Sequence, residues 1–322
     1  MSLSLIKKTD AFARIKKDII NNNLTHAYIF VSDDKLARQA LFDLVAINIL
    51  CDKACGICNL CATILDKEYV DIMQLDCDNK VKVSDIETLI ENTFINPVIG
   101  KKKLYYIESA HKLSPQAQNK LLKTLEEPPE YAIIFLGVNN ESGLLSTIKS
   151  RAKKVYIDSF ATSDIEAELI SNHIDAYIAQ VSAAYALGNL SKAYEFAENE
   201  SYVELYNQCF ELLLELKNST QIVEFLFKPM FSKDNITLTL DFLEIIIGDV
   251  LKINTKSKAP LATHQRDFDL RAIAKSFNFR SAYMSIEIIN ESRKKLNSNI
   301  NSVSVAEGLM FGILEAKYKW QQ

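Results

Sequence analysis

At 322 residues, with 48% apolar and 24% charged side chains, the chain has a soluble globular composition and the length for two or three domains. Its net charge of −4 argues against an autonomous nucleic-acid binder, although a basic face within an acidic whole stays open. No apolar run approaches the roughly 18 to 20 residues that span a bilayer, and Met1 to Phe12 lacks the apolar stretch of a secretion signal.

In chain order, residues 9–21 place Phe12, Ile15, Ile19 and Ile20 at helical spacing behind a Thr9 or Asp10 cap. Residues 26–31, HAYIFV, read as a short buried strand, and 35–50 as an apolar-faced helix. A strand at 71–75 and a helix over 83–94 follow, then strands at 104–107, 133–138 and 155–157. Strands separated by helical stretches predict a parallel sheet covered on both faces. Beyond Phe160 every segment is helical. A trio at 163–172, 175–187 and 191–199 is broken at Gly188-Asn189. Longer helices follow at 205–217, 221–226, 237–252, 266–277, 280–296 and 304–320. The expected domains are therefore 1–160, 161–202 and 203–322.

Residues 103–151 run through a strand, an acidic strand end, a helix, a Pro-Pro corner, a second strand and Ser-Arg. That is the wiring of the second half of a nucleotide-switch ATPase. The first half has no phosphate loop to match. Such a loop needs glycines that turn backbone N–H groups onto phosphates, a lysine for the terminal phosphates and a hydroxyl for magnesium. The slot between Phe30 and Lys35 puts Ser32 and Ala37 at the glycines, Arg38 at the lysine and Gln39 at the hydroxyl. Asp33 and Asp34 would place carboxylates where phosphates should sit, which is strongly repulsive. Arg38 keeps a positive charge, so anion binding there stays open. At the acidic strand end, Glu108-Ser109 puts a serine where a general base is needed, and a serine cannot do that work at neutral pH.

Cys51, Cys55, Cys58 and Cys61 form C-x3-C-x2-C-x2-C, the ligand set of a closed structural zinc site. Gly56 permits the tight turn that gathers them. An iron–sulfur cluster is the rival occupant. Clustered thiols without a secretion signal point to a reducing cytoplasm. Cys77 and Cys209 read as small buried hydrophobes.

The block Ser114 to Pro129, SPQAQNKLLKTLEEPP, resembles the AAA+ clamp-loader ATPases of bacterial DNA polymerase III. So do His26-Ala27-Tyr28, the cysteine insertion and Leu144 to Arg151. The resemblance covers the first 160 residues well and the remainder only in layout. It implies an α/β AAA+ P-loop-type domain with a zinc knuckle at 51–61, a three-helix lid and an all-α collar. It also implies Ser150-Arg151 as a trans arginine finger, in a Ser-Arg-Cys motif that here ends in Ala152. Gly188-Asn189-Leu190-Ser191 has no arginine where motor members carry a lid sensor. The expected function is that of a scaffold subunit that binds no ATP, partnered by gamma/tau-type motors, a delta subunit, the sliding clamp and primed DNA. The alternatives are an ATP-hydrolysing motor subunit and a zinc-containing nucleic-acid adaptor. A guanidinium suits the finger because it stays charged and forks onto phosphate oxygens; the bland alternative is a surface arginine among Lys149, Lys153 and Lys154. His111 reads as a helix-start polar residue, Lys101 to Lys103 as a solvated turn with a possible DNA-backbone contact, and Trp320 as a packing anchor.

Overall fold

Alternation within the strands lays out the first half of the computed structural model, which describes residues 3–259 and 261–319. Strand β1 (Ala27–Val31) sends Tyr28 and Phe30 to one face and Ala27 and Ile29 to the other. Both sets are buried, as a strand covered on two sides requires. The same alternation holds in β3 (Lys103–Glu108) and β4 (Ala132–Val138), and all residues of both strands are buried. With β2 (Ile72–Asp76) and β5 (Lys153–Tyr156) they form a parallel sheet in the order β2-β3-β4-β1-β5. Edge strand β5 exposes Lys153, Lys154 and Tyr156, which discourages further strand pairing.

One face of the sheet packs against α2 (Asp10–Ile20) and α3 (Lys35–Leu50) through Phe12, Ile15, Phe42, Tyr106 and Phe135. Phe42 stacks on Tyr106 with ring centroids 4.6 Å apart. The other face packs against α5 (Val83–Thr93) and α6 (Pro115–Glu126) through Ile86, Leu89, Leu121 and Leu125. Helix α6 starts where Ser114 accepts from Ala117 N, with Pro115 in the first turn. Pro128-Pro129 stops it, since the residue before a proline disfavours helical backbone. The short helices α1 (Leu3–Ile6), α4 (Asn59–Leu65) and α7 (Ser146–Lys149) complete this half.

The remainder is helical: α8 (Thr162–Ser171), α9 (Ala176–Ala186), α10 (Leu190–Ala197), α11 (Glu200–Glu215), α12 (Ser219–Leu226), α13 (Ile236–Asn254), α14 (Asp267–Ser276), α15 (Phe279–Asn297) and α16 (Ser302–Lys319). The chain divides into two compact units. One runs to Phe160 and takes in Asn189–Ser191; the other holds 161–188 and the residues from Lys192 onward. In the second unit Phe242 meets Tyr185, Phe196 and Tyr206 at centroid distances of 5.5, 5.5 and 5.4 Å. Helices on both sides of residue 203 thus share one core. Gly312 lets α16 approach α15, because a Cβ there would lie 2.9 Å from Ile288. Buried Lys317 donates to Leu216 O at 3.0 Å and ties α16 to the end of α11.

Lys103 departs from the sequence reading. It does not solvate a turn but opens β3, buried, with Nζ bonded to Asn92 O at 3.2 Å and Ile95 O at 3.3 Å. Its long side chain caps the end of the neighbouring α5 region, a partner that spacing along one strand does not reveal. Cys77 and Cys209 are buried as expected. Trp320 lies outside the described residues. Among the described residues, no helix is long and apolar enough to cross a membrane.

Candidate functional site

In open parallel sheets ligands collect at the carboxyl ends of the strands, and here the carboxyl ends of β1, β3 and β4 converge beside the start of α3. All the residues aligned to the missing phosphate loop lie there. Arg38 and Gln39 turn their side chains to partners within the chain.

Arg38 is buried, 3% exposed, and spends its guanidinium inside the chain. Its Nε lies 3.1 Å from Glu108 Oε1, its Nη2 pairs with the same carboxylate, and its Nη1 donates to Ser32 O. Glu108, also 3% exposed, further accepts from Tyr106 Oη and from Ser109 Oγ at 3.2 Å. Burial alone would weaken the arginine as a base, and the adjoining carboxylate more than offsets this. Burial and the same carboxylate raise the Tyr106 phenol well above its ordinary range. Gly137 makes the space: a Cβ there would fall 2.5 Å from Glu108 Oε2 and 2.7 Å from Tyr106 Oη. Ser109 follows in a left-handed conformation, φ 54°, bonded to its neighbour.

The N-terminus of α3 is filled in the same way. A free helix N-terminus offers N–H groups and a positive dipole end to an anion. Here Asp34 Oδ1 accepts from Ala37 N at 3.1 Å, and Ser191 Oγ accepts from Leu36 N at 2.8 Å. Asp34 also accepts from Leu190 N, from Ser191 N at 3.2 Å and from Ser191 Oγ at 2.6 Å. This is how Asn189–Ser191 comes to belong to the first unit. Asp34 is buried, whereas Asp33 is exposed to solvent. At the mouth, Lys35 bridges Asp76 at 2.8 Å and Asp78 at 2.6 Å, and Lys112 adds a second bond to Asp78.

Gln39, aligned to the magnesium hydroxyl, turns instead to Asp43 at 2.8 Å and Gln74 at 3.1 Å. Asp43 is 1% exposed, and its Oδ2 has no partner among the described residues. Burial pushes its carboxyl up to about 6, against the opposing influence of Gln39 and Lys67. An unfolded aspartate titrates near 3.9, so the fold holds the proton to higher pH. The stability this contributes is complete below about pH 4 and is lost as pH rises through about 6. Asp43→Asn should therefore be more stable than the parent by roughly 1–3 kcal/mol near pH 7.5, with the gap closing near pH 4. Denaturant midpoints at the two pH values check this.

The four cysteines gather where α3 ends and α4 begins. Cys51 closes α3, Cys58 precedes α4, and Ala54 and Gly56 make the turn with positive φ. Sγ–Sγ distances are 4.0 Å (51–55), 3.8 Å (51–58), 4.0 Å (55–61) and 3.6 Å (58–61), with all four sulfurs within 4.8 Å of one another. Four sulfurs about 2.3 Å from a common centre sit about 3.8 Å apart at tetrahedral corners. The set therefore fits one tetrahedral ion such as Zn2+ and is too close-set for several irons. Backbone N–H groups of Ile57 and Cys58 lower the Cys55 thiol to about 6, whereas burial pushes the Cys61 thiol up to about 12.

Arg151 lies at the far end of the Ser-Arg motif, after α7. Its Nη2 pairs with Glu126 Oε1 at 2.7 Å, and its Nη1 donates to Thr147 O at 2.9 Å and lies 3.4 Å from Ser150 Oγ. Ser150 Oγ donates to Thr147 O at 3.0 Å. The arginine side chain remains one-third exposed. The neighbouring lysines have separate partners, Asp18 for Lys153 and Glu141 for Lys154. His111 sits in a one-turn helix, Ala110–Lys112, and burial lowers its imidazole.

Sequence reading missed Tyr106 and Gly137 as parts of the Glu108 pocket, Ser191 as a cap on α3, and Glu126 as the partner of Arg151. Gly137 alone carried a signal, as a glycine inside a fully buried strand.

A five-stranded parallel sheet in this order, with its cysteine insertion and trailing helices, defines an AAA+-like protein. The family described as "DNA polymerase III, delta subunit" matches residues 7–161. The tau/gamma subunit of Haemophilus influenzae DNA polymerase III is 32% identical over 181 residues. That match takes in 54% of this chain and spans about a quarter, 26%, of that relative's length. The delta' subunit of Bacillus subtilis is 25% identical over 98% of this chain and 100% of its own length. That of H. influenzae is 25% identical over 89% of each. Among solved structures, a gamma-subunit-related protein of Thermotoga maritima is 17% identical over 96% of this chain and all of that chain, with a TM-score of 0.47. The chain is delta-prime-like: its similarity to delta' subunits of DNA polymerase III extends over 89–100% of their length.

Proposed function

We propose that this chain is the non-hydrolysing scaffold of a sliding-clamp loader, and that it presents Arg151 to ATP held by a neighbouring motor subunit. The observation that carries the reading is the closed nucleotide pocket. Arg38 is locked onto Glu108, and the start of α3 is capped by Asp34 and Ser191. Neither a triphosphate nor its magnesium finds a free ligand among these residues, and Ser109 supplies no base. Arg151, by contrast, is partly exposed and lies outside that pocket. It acts as the finger with Ser150 beside it.

Residues 161–202 serve as the lid and 203–322 as the collar that joins gamma/tau-type motors and a delta subunit. The clamp and primed DNA are met through the assembly. Reconstitution with motor subunits tests the reading: the parent chain should support clamp-stimulated ATP turnover and clamp loading, and Arg151→Ala should not. Cys51, Cys55, Cys58 and Cys61 hold one structural Zn2+, a closed site that supplies rigidity and no chemistry. Elemental analysis should return about one zinc per chain. Several irons with visible absorbance would contradict that assignment.

A further inference from the structure

Glu126 occupies the last residue of α6, where the helix dipole disfavours a carboxylate. Glu127 and the Pro128-Pro129 corner follow it directly. The cation that relieves it is Arg151, 2.7 Å away. Both partners are substantially exposed, so the pair contributes little to stability. It does more for geometry. Thr147 O holds Nη1 from one side and Glu126 holds Nη2 from the other, which fixes the plane and direction of the guanidinium. A long arginine side chain left free would sample many rotamers, and misplacement by about 1 Å can cost a reaction 10²-fold.

We propose that Glu126 is the positioning residue of Arg151, holding the guanidinium in the orientation in which it is offered to a neighbouring subunit's nucleotide. This rests on the finger reading above. Glu126 itself touches no nucleotide and acts only through the arginine.

The test uses the complex reconstituted with motor subunits and compares parent, Glu126→Ala, Glu126→Gln, Arg151→Ala and the double alanine variant. Glu126→Ala should lower kcat for ATP roughly tenfold and leave KM within about twofold, since only orientation at the transition state is lost. Glu126→Gln keeps an acceptor oxygen and should recover most of the rate. The double variant should be no slower than Arg151→Ala alone, as expected for two residues that act as one unit. Unchanged kcat in Glu126→Ala, alongside a large loss in Arg151→Ala, overturns the positioning role and leaves the finger standing. Losses that multiply in the double variant also overturn it. If Arg151→Ala itself leaves turnover untouched, the finger reading fails and takes this inference with it.

Discussion

Arg151→Ala should cut ATP turnover at the adjoining motor site by about 10²- to 10³-fold, somewhat below the 10³ to 10⁵ that arginine fingers contribute in GTPases. The variant should assemble and melt like the parent. Among the described residues Arg151 makes a solvent-accessible ion pair with Glu126 and bonds to Thr147 O and Ser150 Oγ. Truncation therefore leaves no buried group unpaired, and the stability change should stay within about 1 kcal/mol. Arg151→Lys separates charge from geometry. A lysine keeps the charge but loses the planar fork, so it should recover only a small part of the rate. Steady-state turnover with clamp and primed DNA, beside a thermal melt of each variant, reads both effects. Full turnover in Arg151→Ala would remove the finger assignment.

The second large effect falls on stability. Glu108→Ala leaves the Arg38 guanidinium buried with a single carbonyl partner, Ser32 O. Removing one partner of a buried ion pair typically costs about 3–5 kcal/mol, because the remaining charge has lost its compensation. Tyr106 Oη and Ser109 Oγ lose the same acceptor. The transition of the first unit should move down by roughly 10 °C. Replacing both partners with apolar residues of similar volume should restore most of this, since a filled apolar pocket holds no stranded charge. A single Glu108→Ala variant as stable as the parent would mean that the pair does not hold the pocket shut.

Much of the fold was legible because its signals are local. Tyr28 and Phe30 alternate with Ala27 and Ile29, Ser114-Pro115 marks a helix start, and Pro128-Pro129 marks its end. The five strands and most helices follow from such patterns. The short α1 and α4 did not stand out, being one or two turns long with little periodicity to read. The cysteine set was legible from spacing, since four thiols within eleven residues around Gly56 imply one closed ligand set. The use of Arg38 was not. Alignment to a phosphate loop left it available for an anion, whereas Glu108 lies 70 residues away and reaches it only across the sheet. Likewise Asp34 suggested repulsion of phosphate, but its partners Leu190 and Ser191 lie more than 150 residues on. Interactions between residues far apart in the chain leave no periodic trace in sequence.

The chain's own side chains fill this pocket, Arg38 on Glu108 and Asp34 with Ser191 at the start of α3. Calorimetric titration of the isolated protein with Mg·ATP tests it most directly. The expected result is no saturable heat up to about 1 mM ligand, an affinity no better than about −4 kcal/mol. Stoichiometric binding with a Kd near 1 μM, about −8 kcal/mol, would contradict it.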